Sequence, residues 1–263
     1  MKYFFIAGEP SGDLHGSNIM REIKKIDAQA DFCFTGGDLM QAEGGRMVQH
    51  YHHMSFMGIF AVLANIGKVM ENFRICKKKI LAFRPDVLFL IDYPGFNLRM
   101  AKWAKKNGIR VFMYVSPTVW AWKESRVKTI RENIERLFVI LPFEVDFYKQ
   151  RHNYDVYYTG NPIFDVIESF KDKNKDSAFR SENNLDNRPI VALLSGSRRQ
   201  EIRHCLPVML SLVNKYPEYQ FVIAGAPSLP LSVYKPYLEK QPDVKFVYGK
   251  TYELLINSFS AIV

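Results

Sequence analysis

The chain has 263 residues, 36 lysines and arginines against 27 aspartates and glutamates, a formal net charge of +9, and 48% hydrophobic residues. That much apolar matter supports one large core or two modest ones and excludes a chain that is disordered throughout. The basic balance favours anionic partners such as phosphorylated small molecules or an acidic membrane surface; without an RNA-recognition signature or zinc-finger spacing, no nucleic acid is expected.

The first predicted element is a buried strand, Tyr3–Ala7, which stops at Gly8. Gly8, Glu9, Pro10, Ser11, Gly12, Asp13, Leu14, His15 and Gly16 follow as a glycine-rich turn, and helical spacing runs from Leu14 to Ile26. Strand, glycine turn and helix form the opening unit of a nucleotide- or sugar-binding α/β domain. The turn carries acids, a hydroxyl and an imidazole, so it is a candidate for chemistry as well as binding. It is neither the dinucleotide fingerprint nor a Walker A loop. A plain turn capped by Ser11 or Asp13 explains it equally well. The apolar run is too short for a signal peptide, with Glu9 and Asp13 close behind it.

A second strand is predicted at Phe32–Thr35. His50, His52 and His53 lack metal-ligand spacing, and no metal is expected. Phe56, Met57, Ile59, Phe60, Val62 and Leu63 belong to a stretch too short to span a membrane and too apolar for an ordinary loop. Lys68, Arg74, Lys77, Lys78 and Lys79 follow it. An apolar edge with trailing cations fits either shallow insertion into an anionic bilayer or a core helix with a solvated end. A helix is predicted over Ala61–Phe83, ended by Pro85.

The next strand, Val87–Ile91, delivers Asp92 to its carboxyl end, where ligands sit in open α/β sheets. A carboxylate there can take a proton from a substrate hydroxyl, and apolar surroundings raise its pKa toward usefulness. Asn97 is the better-placed cap for the following helix, Leu98–Lys106, which frees Asp92 for chemistry. Strand Val111–Val115 leads into Ser116, Trp120 and Trp122, and two tryptophans at a strand end suit stacking on a sugar face or simple core packing. Further strands are predicted at Leu137–Ile140 and Val156–Tyr158, with helices Arg126–Asn133 and Glu144–Arg151. Pro142 and Glu144 suit a helix start, and Gly160-Asn161-Pro162 is turn chemistry.

The polar, mixed-charge stretch from Glu168 to Arg188 reads as a linker and places the domain boundary between residues 167 and 168. A second α/β pattern then opens with strand Ile190–Leu194 and a glycine turn bearing Ser197, Arg198 and Glu201, a combination suited to a diphosphate. Helices Glu201–Asn214 and Tyr252–Ser258 and strands Phe221–Ala224 and Lys245–Val247 complete it. The last residues look like the start of another buried strand. Three or four strands are few for a doubly wound domain, so a longer natural protein is expected. Cys33, Cys76 and Cys205 are odd in number and widely spaced, and read as reduced thiols of a cytosolic protein.

Taken in order, GEPSGDLHG, the MGI at 57–59, RPDVLFLIDYPGFN, YVSPTVWAW, LPFE, GNP and LLSGSRRQEI resemble the lipid-A-disaccharide synthase family, from Tyr3 to the end of the chain. The resemblance implies a GT-B glycosyltransferase with two Rossmann-like parallel-sheet domains: residues 1–167 on the acceptor and membrane side, and residues 168–263 as an incomplete UDP-sugar domain. It implies transfer from UDP-2,3-diacylglucosamine to 2,3-diacylglucosamine 1-phosphate, forming a β(1→6) disaccharide and releasing UDP at the inner face of the cytoplasmic membrane of Gram-negative bacteria, with no metal or other cofactor.

On this reading Asp92 is the base and Arg198 offsets the charge of the leaving UDP. Gly8, Glu9, Ser11, Gly12, Asp13, His15, Asn97, Ser116, Trp120, Trp122, Glu144, Asn161, Ser197 and Glu201 bind substrate, and residues 56–66 meet acyl chains or bilayer. A homo-oligomer is left open. Family members continue past the point matched by Val263 with a further glycine/serine/threonine-rich turn, so this chain alone is expected to be inactive. Another GT-B UDP-sugar enzyme, or a non-catalytic lipid-binding module, is the competing reading.

Overall fold

The computed structural model describes residues 1–54, 66–171 and 178–263. The chain forms two compact units, Met1–Pro162 and Ile163–Val263. Each is built on a parallel sheet.

The strands of the first unit are β1 (Lys2–Ala7), β2 (Asp31–Gly36), β3 (Arg46–His50), β4 (Val87–Ile91), β5 (Arg110–Tyr114), β6 (Arg136–Val139) and β7 (Tyr157–Tyr158). They pair in the order β3-β2-β1-β4-β5-β6-β7, each pair parallel. Strand order reverses between β1 and β4, where Ala7 pairs with Ile91. That junction is the topological switch point, beyond whose carboxyl ends ligands bind in open parallel sheets.

The sheet is covered on both faces, as parallel sheets generally are. Alternation along each strand decides the face. Phe4, Ile6, Leu88 and Leu90 point to one side, packing with Cys76 and Ile80 of the helix Ile66–Phe83 and with Met100, Ala101 and Ala104 of the helix Pro94–Lys106. Phe5, Ala7, Phe34, Phe89 and Ile91 point to the other, against Met20 of the helix Pro10–Ile26 and against Met40. Phe5 stacks on Phe89 at 5.0 Å between ring centroids.

The second unit has β8 (Ile190–Leu193), β9 (Gln220–Gly225), β10 (Lys245–Tyr248) and β11 (Ser260–Ile262), in the order β10-β9-β8-β11 and again parallel. Its core is separate: Leu193, Leu206, Ile223 and Tyr234 on one side of the sheet, Ala192, Val222, Val247 and Leu254 on the other.

Several expectations change. The first helix begins at Pro10 rather than Leu14, so Ser11, Gly12, Asp13, His15 and Gly16 are helical and the loop proper is Gly8–Glu9. Pro10 occupies the first helical turn, where its missing N–H costs nothing. Asn97 lies inside the helix Pro94–Lys106 and does not cap it; Tyr93 is the N-cap. The edge strand β3 and the short helix Asp38–Ala42 were not foreseen. The division between units falls at Pro162–Ile163, before the charged stretch, where the helix Pro162–Lys171 starts. The apolar run containing Phe56, Met57, Ile59, Phe60, Val62 and Leu63 lies outside the described residues. Among the described residues no helix is long and apolar enough to cross a membrane.

Candidate active site

Parallel pairing sends every loop that follows a strand to one rim of the sheet. Gly8 ends β1, Asp92 ends β4, Ser116 and the tryptophans follow β5, Glu144 follows β6 and Asn161 follows β7. Hence residues far apart in sequence share the carboxyl rim.

Asp92 sits at the switch point in an unusual backbone. Its φ is 43° and that of Tyr93 is 48°, two successive non-glycine residues in the left-handed region. Such residues persist only where surrounding structure over-determines them, and they cluster at functional sites. Here the holding contacts are visible. The Asp92 N–H donates to the Tyr114 carbonyl at 3.0 Å. Asn97 Nδ2 donates to the carbonyls of Asp92 at 2.7 Å and Ile91 at 3.1 Å. Asn97 is fully buried, so its amide clamps the elbow from below rather than meeting a ligand. The Tyr93 hydroxyl donates to the Met54 carbonyl at 2.8 Å, and its ring lies where a Cβ on Gly8 would be, 2.5 Å from Cδ1. Only glycine at position 8 allows that approach.

Burial pushes the Asp92 carboxyl above its usual range, opposed only in part by the Tyr93 N–H. That is the direction a general base working near neutrality requires. Asp92 borders a pocket of about 230 Å³ with Val115, Ser116, Thr118, Trp122 and Arg126 among its walls. Val115, a β-branched residue, has φ 67°, so the loop after β5 is bent as sharply as the one after β4. The Trp122 Nε1 donates to Thr118 Oγ1 at 3.2 Å, which fixes the indole at the mouth. Trp120 is turned to Phe143 in an edge-on contact of 5.0 Å and is 41% exposed.

Ser116 donates to the Pro117 carbonyl and shares a 2.7 Å hydrogen bond with the Tyr148 hydroxyl. Glu144 is 2% exposed, and its Oε2 accepts from the Leu141 N–H at 3.1 Å, while burial pushes its carboxyl up. Ser116 and Glu144 therefore brace the pocket wall. Asp13 also moves from ligand to brace. Its carboxylate accepts from the N–H groups of Gly37, Leu39 and Met40 at 2.8, 3.1 and 3.1 Å, capping the helix Asp38–Ala42 from another helix. Three backbone donors occupy a side chain that is 3% exposed.

His15 packs edge-on against Tyr114 at 5.6 Å, and burial lowers its pKa, which favours the neutral imidazole. Ser11 is exposed at the helix start, and Glu9 lies close enough to Tyr93 to raise the pKa of its phenol beyond what burial does. Asn161 stands half-buried after Gly160, whose φ is 80°.

In the second unit the rim is formed by the turn after β8. Gly196 has φ 102°, and a Cβ there would lie 2.5 Å from Glu201 Oε2. Glu201 accepts from the N–H groups of Ser197 at 2.9 Å and Arg198 at 3.2 Å, and its Oε1 pairs with Arg198 Nη1 at 2.7 Å. Burial would raise this carboxyl, but the Arg198 guanidinium and those N–H groups outweigh it and hold it below the usual range. The Ser195 hydroxyl is 1% exposed and has no hydrogen-bond partner among the described residues. Ser228 Oγ donates to the Ser197 carbonyl at 3.1 Å, tying the loop after β9 to this turn.

Sequence reading missed Tyr93, Tyr148 and Arg126. Arg126 opens a helix as an ordinary solvated cation would; only the fold brings it to Asp92. Among the described residues no group of three or more histidines, cysteines, aspartates or glutamates could hold a metal ion.

Comparisons with known proteins agree with this architecture. A model of the lipid-A-disaccharide synthetase family matches residues 3–261. A lipid-A-disaccharide synthase of Geobacter sulfurreducens is 36% identical over 259 residues, covering 97% of this chain and 67% of its own length. Those of Trichlorobacter lovleyi and Coxiella burnetii (strain Dugway 5J108-111) are 38% and 33% identical, covering 90% and 98% of this chain and 62% and 68% of theirs. The chain thus spans about two thirds of the length of these relatives. Among solved structures, S. aureus MnaA with UDP superposes with a TM-score of 0.69 at 11% identity, covering 99% of this chain and 73% of that one. UDP-GlcNAc 2-epimerase from Neisseria meningitidis bound to UDP-GlcNAc gives 0.64 at 15%, covering 99% and 77%. Sucrose-phosphate synthase from Thermosynechococcus elongatus gives 0.58 at 14%, covering 97% and 72%. At these identities the shared feature is the fold, a GT-B pair of Rossmann-like units.

Proposed function

The chain belongs to the lipid-A-disaccharide synthetase family, and from that premise we propose that it provides the acceptor side and part of the donor side of an inverting glycosyltransferase. The donor is UDP-2,3-diacylglucosamine and the acceptor 2,3-diacylglucosamine 1-phosphate. The acceptor's 6-hydroxyl oxygen attacks the donor's anomeric carbon as the bond from that carbon to the diphosphate breaks. The hydroxyl proton passes to Asp92, and UDP leaves with the electron pair.

The observation that carries this reading is Asp92: a carboxyl at the switch point, held in a left-handed elbow, lifted by burial and open to a pocket. General-base catalysis by such a group contributes about 10²–10⁴-fold. The Arg198 guanidinium is suited to the charge developing on the departing diphosphate. Its pairing with Glu201 sets that guanidinium in place before a ligand arrives. Residues 56–66 would meet acyl chains or the inner leaflet, which accords with the net positive charge.

The test is UDP release with both substrates by a polypeptide of the relatives' full length, with and without Asp92→Asn. Asparagine matches aspartate in shape but cannot take the proton at neutral pH. Turnover is expected to fall by at least about 10²-fold. Turnover within a factor of two of the unaltered enzyme would remove Asp92 from the role of base.

A further inference from the structure

Five of the described arginines face a carboxylate at short range: Arg21 with Glu43, Arg46 with Asp31, Arg110 with Glu135, Arg188 with Asp186 and Arg198 with Glu201. Arg126, like Arg136 and Arg151, meets an aromatic ring instead. Among the described residues its guanidinium forms no ion pair and no side-chain hydrogen bond. Its contact is with the Trp122 ring, 5.3 Å from guanidinium carbon to ring centroid. Lys123 Nζ lies 4.5 Å from the same centroid. The ring itself is fixed through Thr118. Stacking of this kind orients a guanidinium while leaving its N–H fork free for an anion.

Arg126 and Asp92 border the same pocket without pairing. Its volume of about 230 Å³ is below the roughly 300–1,000 Å³ usual for drug-sized ligands and suits one sugar headgroup rather than a nucleotide sugar. A neutral sugar gains little from a guanidinium. A sugar phosphate gains charge-assisted, often bidentate hydrogen bonds.

We propose that Arg126, stacked on Trp122, is the anion subsite of this pocket and holds the phosphate of an acceptor sugar phosphate while the sugar lies toward Asp92. This rests on the assignment of the Asp92 pocket to the acceptor. Arg126 is then a specificity residue: it selects acceptors that carry a phosphate and fixes which end of the sugar points to the base.

The test is equilibrium binding to the 263-residue chain, followed by NMR titration with three soluble probes: N-acetylglucosamine 1-phosphate, N-acetylglucosamine and inorganic phosphate. The sugar phosphate is expected to bind about tenfold more tightly than either other probe, a margin typical of one charge-assisted contact. Arg126→Gln should abolish that margin, and Arg126→Lys should restore part of it. Unchanged far-ultraviolet dichroism and melting midpoint in both variants establish that the fold is intact. An Arg126→Gln chain that keeps the margin overturns the proposal. So does an unaltered chain that binds none of the probes, or that binds inorganic phosphate as tightly as the sugar phosphate. If Asp92→Asn in a polypeptide of the relatives' full length spares transfer, the catalytic assignment fails while the phosphate subsite stands on its own measurement.

Discussion

At the scale of single residues, Asp92 links stability to pH in a direction opposite to a salt-bridged carboxylate. Burial raises its folded-state pKa above the unfolded value. Between those two values the native state binds more protons than the unfolded one, so this group's contribution to stability falls as pH rises through the window. Asp92→Asn removes the cost of ionising a half-buried carboxyl. The variant is therefore expected to melt at or above the unaltered chain at pH 7, with the gap closing as pH falls below the ordinary carboxylate range. Melting curves from pH 3 to 8 on both proteins check this; a gap that widens toward acid would contradict it.

Residues of this kind were partly legible from sequence. A charged side chain directly after an apolar strand, as Asp92 follows Val87–Ile91, announces itself. Whether such a side chain faces ligand or protein does not. Asp13, Asn97 and Glu144 look like site residues in sequence, yet each is turned inward onto backbone groups. Arg126 looks like solvent-facing charge yet borders the pocket.

At the scale of elements, those inward-turned residues are what aim the rim. Asp13 caps the helix Asp38–Ala42 across 24 residues of sequence. Asp13→Ala leaves three N–H groups, those of Gly37 and Met40 buried, without an acceptor, and each buried loss costs about 1–3 kcal/mol where no water enters. The expected result is destabilisation of at least about 2 kcal/mol, read from urea unfolding, with Asp13→Asn recovering part of it. A change under 0.5 kcal/mol, about the level of an ordinary surface substitution, would mean that water replaces the cap.

Element limits were read well where periodicity is strong and poorly where glycine intervenes. Strand β4, wholly apolar, falls where predicted. The first helix was placed four residues late because Gly12 and Gly16 read as turn chemistry, whereas both are buried in helix. β3 went unseen because Arg46–His50 offers only Met47 and Val48 as apolar residues and sits at the sheet's edge.

At the scale of the whole molecule, two parallel sheets with separate cores imply two folding units. All the buried residues of the larger core lie within 1–162, and those of the smaller within 163–263. Residues 1–162 expressed alone are expected to unfold cooperatively, with a melting midpoint close to that of one transition in the full chain. A polypeptide 1–162 lacking fixed near-ultraviolet dichroism would show that the units depend on each other. The βα rhythm made this division visible in outline, because alternating strands and helices specify parallel sheets before any contact is known. Charge density marks Glu168–Arg188, while the contacts part at Pro162.

The three non-glycine residues with left-handed backbone at the ends of β4 and β5 have a consequence for anyone who selects variants of this protein. Asp92, Tyr93 and Val115 each hold a conformation that costs of order 1–3 kcal/mol, and all three sit around one pocket or its elbow. Glycine at 92 relieves the strain without removing a packed ring, whereas glycine at 93 would also forfeit the hydrogen bond to Met54 and the stacking on Phe96. A library sorted for heat resistance alone would therefore enrich glycine at 92, and its hardiest survivors would be the ones that had lost the pocket's carboxylate.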